Sequence, residues 1–188
     1  MRRRAHHRPE RKPIFVGCEG DSEVSYVAFI RDLAETARLP VVITPIALRE
    51  GDPLARVEKA IRLISDNRKK RRVDYTARFI LMDTDQIVLA PDRAEQAKLI
   101  ATEHKISIIW QNPCHEALLL RHFAGHETKH PSTATASMKQ LVKQWPGYEK
   151  AMSKQDIAKM LNLESVCRAA AVDQELKSFL MTIGLAAI

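Results

Sequence analysis

With 188 residues, 45% of them hydrophobic and 28% charged, the chain has the composition of one globular domain able to bury a core, which excludes a disordered or fibrous protein. Its formal charge is +7, yet Arg2, Arg3, Arg4, Arg8, Arg11 and Lys12 against Glu10 place +5 of it before residue 13, so a basic surface spread over the whole chain is excluded. No apolar run reaches the roughly 18 residues that span a bilayer, and no secretory signal follows the basic start; three cysteines without C-x-x-C spacing exclude a disulfide framework and a zinc ribbon, so a cytoplasmic protein is expected.

Residues 1–12 read as a flexible basic arm, with Arg2, Arg3, Arg4 and Arg8 as contacts for nucleic-acid phosphate. Residues 13–18 form a short apolar strand. Glu19-Gly20-Asp21-Ser22-Glu23 then turns into a helix, for which Ser22 is the expected N-cap and Tyr26, Val27, Ile30, Leu33, Ala34 and Ala37 the buried stripe. Pro40 closes it, and residues 41–48 supply a β-branched second strand. Asp52-Pro53 has the cap and first-turn proline of a second helix. Its stripe, Leu54, Val57, Ile61 and Ile64, leads to the basic run Arg68, Lys69, Lys70, Arg71 and Arg72, which either complements the helix dipole or contacts phosphate.

Residues 77–82 are the third strand and discharge into Asp83-Thr84-Asp85. A loop leads to a helix from Pro91 to about His104. Residues 106–110 are the fourth strand, followed by Gln111-Asn112-Pro113 and a leucine-rich helix over 114–123. Beyond His130 the pattern is helical only, over 138–145, 149–161 and 163–183. Strands alternating with helices predict an α/β fold, a mainly parallel four-stranded sheet flanked by helices. The core is placed at 13–128, with a helical C-terminal extension, 129–188, laid back on it.

In such a sheet, side chains just past the carboxyl ends of the strands share one crevice. Glu19 follows the first strand, Asp83 and Asp85 the third and Asn112 the fourth, while Glu23 sits one turn into the first helix. Carboxylates held this close raise one another's pKa values unless a cation neutralises them. An all-oxygen set with no neighbouring cysteine or histidine pair selects Mg²⁺ or Mn²⁺, with Glu19, Asp83 and Asp85 as the candidate ligands. An ion there would orient a phosphate and stabilise charge on a leaving oxygen. Glu19 itself, in a glycine-containing turn, is expected to do little structural work. The competing reading makes 83–85 a plain turn and leaves Glu19 in solvent.

Other signals are weaker. His115-Glu116 begins like a zincin helix, but Leu119 stands where the second histidine is needed. His115 and His122 share one face of the leucine-rich helix, whereas His126 and His130 read as surface residues. No Gly-x-x-x-x-Gly-Lys loop is present, and Cys18 and Cys114 read as small buried residues.

These residues together resemble the RloB-like proteins. Cys18-Glu19-Gly20, Glu23 and Tyr26 match an opening C-E-G-x-x-E-x-x-Y, and Asp83-Thr84-Asp85 a D-x-D after a strand. Asn112-Pro113-Cys114-His115-Glu116, continuing to His122 and Phe123, is similar to N-P-C-F-E-x-W-x-x-x-H-F. Here His115 replaces the phenylalanine, and leucine or alanine stands at the tryptophan position. The resemblance covers residues 13 to about 150. It implies a relationship to the Toprim fold, magnesium at Asp83 and Asp85, a general acid/base at Glu19, and a role in bacterial antiviral defence and abortive infection beside a partner ATPase. Glu23, Asn112 and Glu116 would then position metal, water or phosphate in a nuclease cleaving DNA or RNA. Two other classes stay open: a non-catalytic scaffold that docks to the ATPase, and a receiver-like phosphoacceptor, which would need an acid pair after the first strand.

Overall fold

The computed structural model describes residues 10–49 and 51–185, so Arg2, Arg3, Arg4 and Arg8 lie outside the described residues. Four strands, β1 (Lys12–Cys18), β2 (Val41–Ala47), β3 (Ala77–Asp83) and β4 (Ser107–Gln111), form one sheet in the order β2-β1-β3-β4. Every neighbouring pair is parallel. Each strand is an apolar run because both of its faces are covered. Ile14, Val16, Cys18, Phe79, Leu81 and Ile109 belong to one core cluster, and the intervening Phe15, Ile80 and Met82 to the other. Alternation along each strand sends successive side chains to opposite faces.

The first face is covered by α1 (Asp21–Thr36), and the second by α2 (Pro53–Arg71) and α4 (Pro91–Glu103). Gly17 is required by packing: a Cβ there would stand 2.8 Å from Leu48 Cδ1 and 3.2 Å from Ile80 Cγ1. The C-terminal helices close the first face. They are α5 (His115–Leu120), α6 (Ala134–Gln144), α7 (Lys154–Met160), α8 (Leu163–Ala170) and α9 (Gln174–Ile183). Their buried residues Leu141, Trp145, Val166, Phe179 and Ile183 join the same cluster as β1 and β3.

Several boundaries differ from the sequence reading, each for a local reason. Gly20, not Ser22, is the N-cap of α1, and Glu23 Oε2 accepts from the Gly20 amide at 2.9 Å. Ser22 Oγ instead accepts from the Ala151 amide at 2.9 Å. The loop after the third strand contains a short helix, α3 (Asp85–Leu89). The leucine-rich helix stops at Leu120. The helix expected over 149–161 is shortened to α7, with Ser153 as its cap. The long helix expected over 163–183 is broken, because Asp173 accepts from the Leu176 amide and caps α9 as a new start. Among the described residues no helix is long and apolar enough to cross a membrane.

Topology also sets two poles. Each helix after a strand runs back toward the amino ends, so the basic run at the end of α2, Arg68 to Arg71 with Arg72 as its left-handed C-cap, lies at the pole opposite the strands' carboxyl ends. Lys12, read in the sequence as the end of the arm, is instead the first residue of β1, its amide donating to the Pro40 carbonyl at 2.8 Å, so the chain enters the sheet at that same amino pole.

Candidate functional site

The strand order turns at the boundary between β1 and β3, which is where open α/β sheets present a crevice. Glu19 leaves β1 and Asp83 ends β3, directly beside each other. Glu19 Oε2 accepts from the Asp83 amide at 3.0 Å, and Glu19 Oε1 meets Arg56 Nη2 at 3.0 Å. Arg56 is buried in the first turn of α2, its Nε donating to the Arg49 carbonyl at 3.0 Å. Glu19 therefore has structural work after all: it neutralises a buried guanidinium. Arg56 lies off the apolar stripe of its helix, and no motif in the sequence marks it.

Asp83 is the electrostatic centre of the site. Burial, and then the negative charges of Glu19, Glu23, Asp85 and Glu116, push its carboxyl up to about 9. Burial also raises Glu19, partly offset by the Asp83 amide and by Arg56. The fold thus brings together all five acids singled out in the sequence. Asp83 Oδ1 and Asp85 Oδ1 are both buried without a hydrogen-bond partner. Asn112 stands at the rim, its Oδ1 accepting from Thr84 Oγ1 at 3.2 Å. Thr84 and Asp85 are held onto the next loop by amides donating to the Pro113 carbonyl at 3.1 and 3.2 Å. The turn carrying the two aspartates is therefore fixed by β4 and the segment after it.

Among the described residues, no three His, Cys, Asp or Glu side chains form a preformed metal-ligating group. Two orphaned carboxylate oxygens in a cluster of acids nevertheless fit a hard cation. Magnesium is commonly held by one or two carboxylates and keeps its remaining positions for water and substrate phosphate.

Beneath the rim lies a buried polar ladder. His115 Nδ1 is 2.7 Å from Gln111 Nε2 and 4.0 Å from Glu23 Oε1. Tyr26 Oη is 2.9 Å from His122 Nε2, while His122 Nδ1 donates to the Leu118 carbonyl at 2.9 Å. Both imidazoles stand edge-on to the Tyr26 ring at 5.5 Å, the shared face expected from their spacing. Burial lowers the pKa of each, that of His122 to about 4. Both are therefore neutral at pH 7 and are not cations for phosphate.

The C-terminal extension also reaches the site, which the sequence did not signal. The Ala151–Ser22 hydrogen bond pins the loop before α7 over the start of α1. That loop brings Tyr148, whose buried hydroxyl has no partner, and Lys150, whose Nζ is 3.5 Å from Glu116 Oε1. By contrast, Arg68, Lys69, Lys70, Arg71 and Arg72 are not brought to the carboxylates. Arg121, buried at the end of α5, pairs with Asp173 at 3.4 Å and ties α5 to the start of α9.

A family model described as RloB-like protein matches residues 14–179. Comparison with curated proteins and with solved structures gave no match.

Proposed function

The chain belongs to the RloB-like protein family, and from its acidic rim we propose that it is a Toprim-like, divalent-metal-dependent nuclease that cleaves phosphodiesters of DNA or RNA in bacterial antiviral defence, together with a partner ATPase. The observation that carries this reading is the pair of buried, unpartnered oxygens, Asp83 Oδ1 and Asp85 Oδ1, inside a five-acid cluster at the sheet's switch point.

Asp83 and Asp85 would hold Mg²⁺ or Mn²⁺, which neutralises charge on a phosphate and on its leaving oxygen. The chain's own residues divide the remaining work. Glu19, whose carboxyl is raised by burial, is suited to accept and return a proton, with Arg56 and the Asp83 amide holding its carboxylate in place. Glu23 and Glu116 supply negative charge next to Asp83, and Asn112 orients the Thr84 hydroxyl between the two aspartates. His115 and His122 position these groups from below without changing charge.

The test is cleavage of end-labelled single-stranded and duplex DNA and RNA with magnesium, manganese or EDTA, with the partner ATPase present and absent. Asp83→Asn should abolish any metal-dependent cleavage. Cleavage that survives both EDTA and Asp83→Asn would remove this reading. A second reading, a non-catalytic module docking to the ATPase, is favoured by two observations. Both oxygens of Glu19 are already engaged, and the basic run lies at the opposite pole. It predicts that Asp83→Asn retains its cellular effect.

A further inference from the structure

Beside the rim is a cavity of about 520 Å³, within the range of small-molecule sites, whose lining includes Glu116, Thr135, Met138, Lys139, Val142 and Lys150. Only Glu116 has a role assigned above. The cavity's chemistry is divided. Met138 and Val142, one turn apart on α6, make an apolar wall. Lys139 and Lys150 bring two positive charges, and the buried Glu116 sets the boundary with the carboxylates. Thr135, in the first turn of α6, adds the helix's positive end to the same space.

Lys150 is 70% exposed at its side chain, and the ion pair it makes is a loose one, 3.5 Å from Glu116. Only the Lys150 end of this pair is in solvent, Glu116 being buried, so the ammonium stays anchored at the cavity edge with its remaining N–H donors free for an arriving anion. An apolar wall facing two lysines, next to acids that handle phosphate, is complementary to a nucleotide: base or sugar on the wall, phosphate on the ammonium groups. A base stacked and paired inside a duplex cannot reach such a wall without being unstacked.

Building on the nuclease reading, we propose that this cavity is the subsite for one unstacked nucleotide flanking the scissile phosphate, so that the substrate is taken as a single strand. Lys139 and Lys150 grip its phosphates and the Met138–Val142 wall receives its base or sugar.

The full chain is titrated in EDTA into a labelled short oligothymidylate and into a matching duplex, following anisotropy over a range of salt. Val142 is 41% exposed, so Val142→Trp fills the cavity from its open side without disturbing the core. Binding of the single strand should exceed that of the duplex. Val142→Trp should weaken the single strand by about tenfold and leave the duplex unchanged. Lys150→Gln should reduce the log–log salt slope for the single strand by about 0.7. With ¹³C-methyl methionine, the Met138 resonance of the unsubstituted protein should shift as the oligonucleotide is added. Wild-type affinity and slope in both variants, or a preference for duplex, overturns the subsite and leaves the nuclease reading intact where magnesium-dependent cleavage is seen in the same preparation. No binding and no cleavage of either form overturns both.

Discussion

Asp83→Asn should make the metal-free protein more stable at pH 8 while removing its response to magnesium. The Asp83 carboxyl is pushed up to about 9 by burial and by the acids around it, whereas in the unfolded chain it ionises near pH 4. Between those values the folded state keeps a proton that the unfolded state releases. This group's contribution is therefore fully present below about pH 4 and is lost as pH rises toward 9. Each pH unit costs about 1.4 kcal/mol, so the fall from pH 4 to 7.5 approaches about 5 kcal/mol with the proton on Asp83 alone. Glu19 is raised as well, which spreads the proton over the cluster, and an asparagine amide must itself be desolvated. A net gain of about 2 kcal/mol at pH 8 is expected, or about 4–8 °C in melting temperature for a chain of this size. Melting curves in EDTA at pH 5 and pH 8, repeated with magnesium, make the check. The variant's advantage should shrink at pH 5, and magnesium should raise only the wild type. A variant that melts lower than wild type at pH 8, or that gains as much from magnesium, refutes the reasoning.

Glu19→Gln should cut cleavage by roughly a hundredfold, the scale of a lost general acid/base. It should also cost about 1–3 kcal/mol in urea unfolding, because buried Arg56 loses its charged partner; wild-type stability would show that Arg56 is satisfied elsewhere. Deleting residues 1–12 removes +5 of the +7 charge, so nucleic-acid affinity should fall and its salt dependence flatten. Turnover on saturating substrate should hold, since the arm enters β1 at the pole away from the acids; an unchanged salt slope would place the phosphate contacts elsewhere. Asp173→Ala strips the buried Arg121 of its partner and α9 of its cap, and should cost about 3–5 kcal/mol. A denaturation midpoint within error of wild type would refute that pairing.

The acids could be found in the sequence because chain topology alone brings them together. Residues that follow parallel strands must emerge at one edge, so Glu19, Asp83 and Asp85 were expected to share a rim before any side chain was placed. The same argument fails for groups that arrive from elsewhere. Arg56 is one cation among the chain's thirty lysines and arginines, and only the approach of α2 to β1 places it on Glu19. Tyr148 and Lys150 belong to a loop, although the sequence placed Lys150 in a helix over 149–161, and that loop is fixed by a hydrogen bond from Ala151 to Ser22, 129 residues away in sequence. Ser22 itself misled for that reason: a serine at a helix start signals a cap, but its hydroxyl was taken by the distant loop.

By itself, then, the amino-acid sequence determined the α/β alternation, the parallel sheet and the edge at which the acids collect, since each follows from hydrophobic period and from the handedness of strand–helix–strand connections. Only the tertiary structure decided the charge balance of that edge. It set Arg56 against Glu19, left Asp83 and Asp85 each with an unpartnered oxygen, kept the two histidines neutral under Tyr26, and carried the basic run to the opposite pole. The physical reason is range: secondary structure is written in neighbours three or four residues apart, whereas desolvation and Coulomb forces depend on whichever distant segments the packed core brings within a few ångströms.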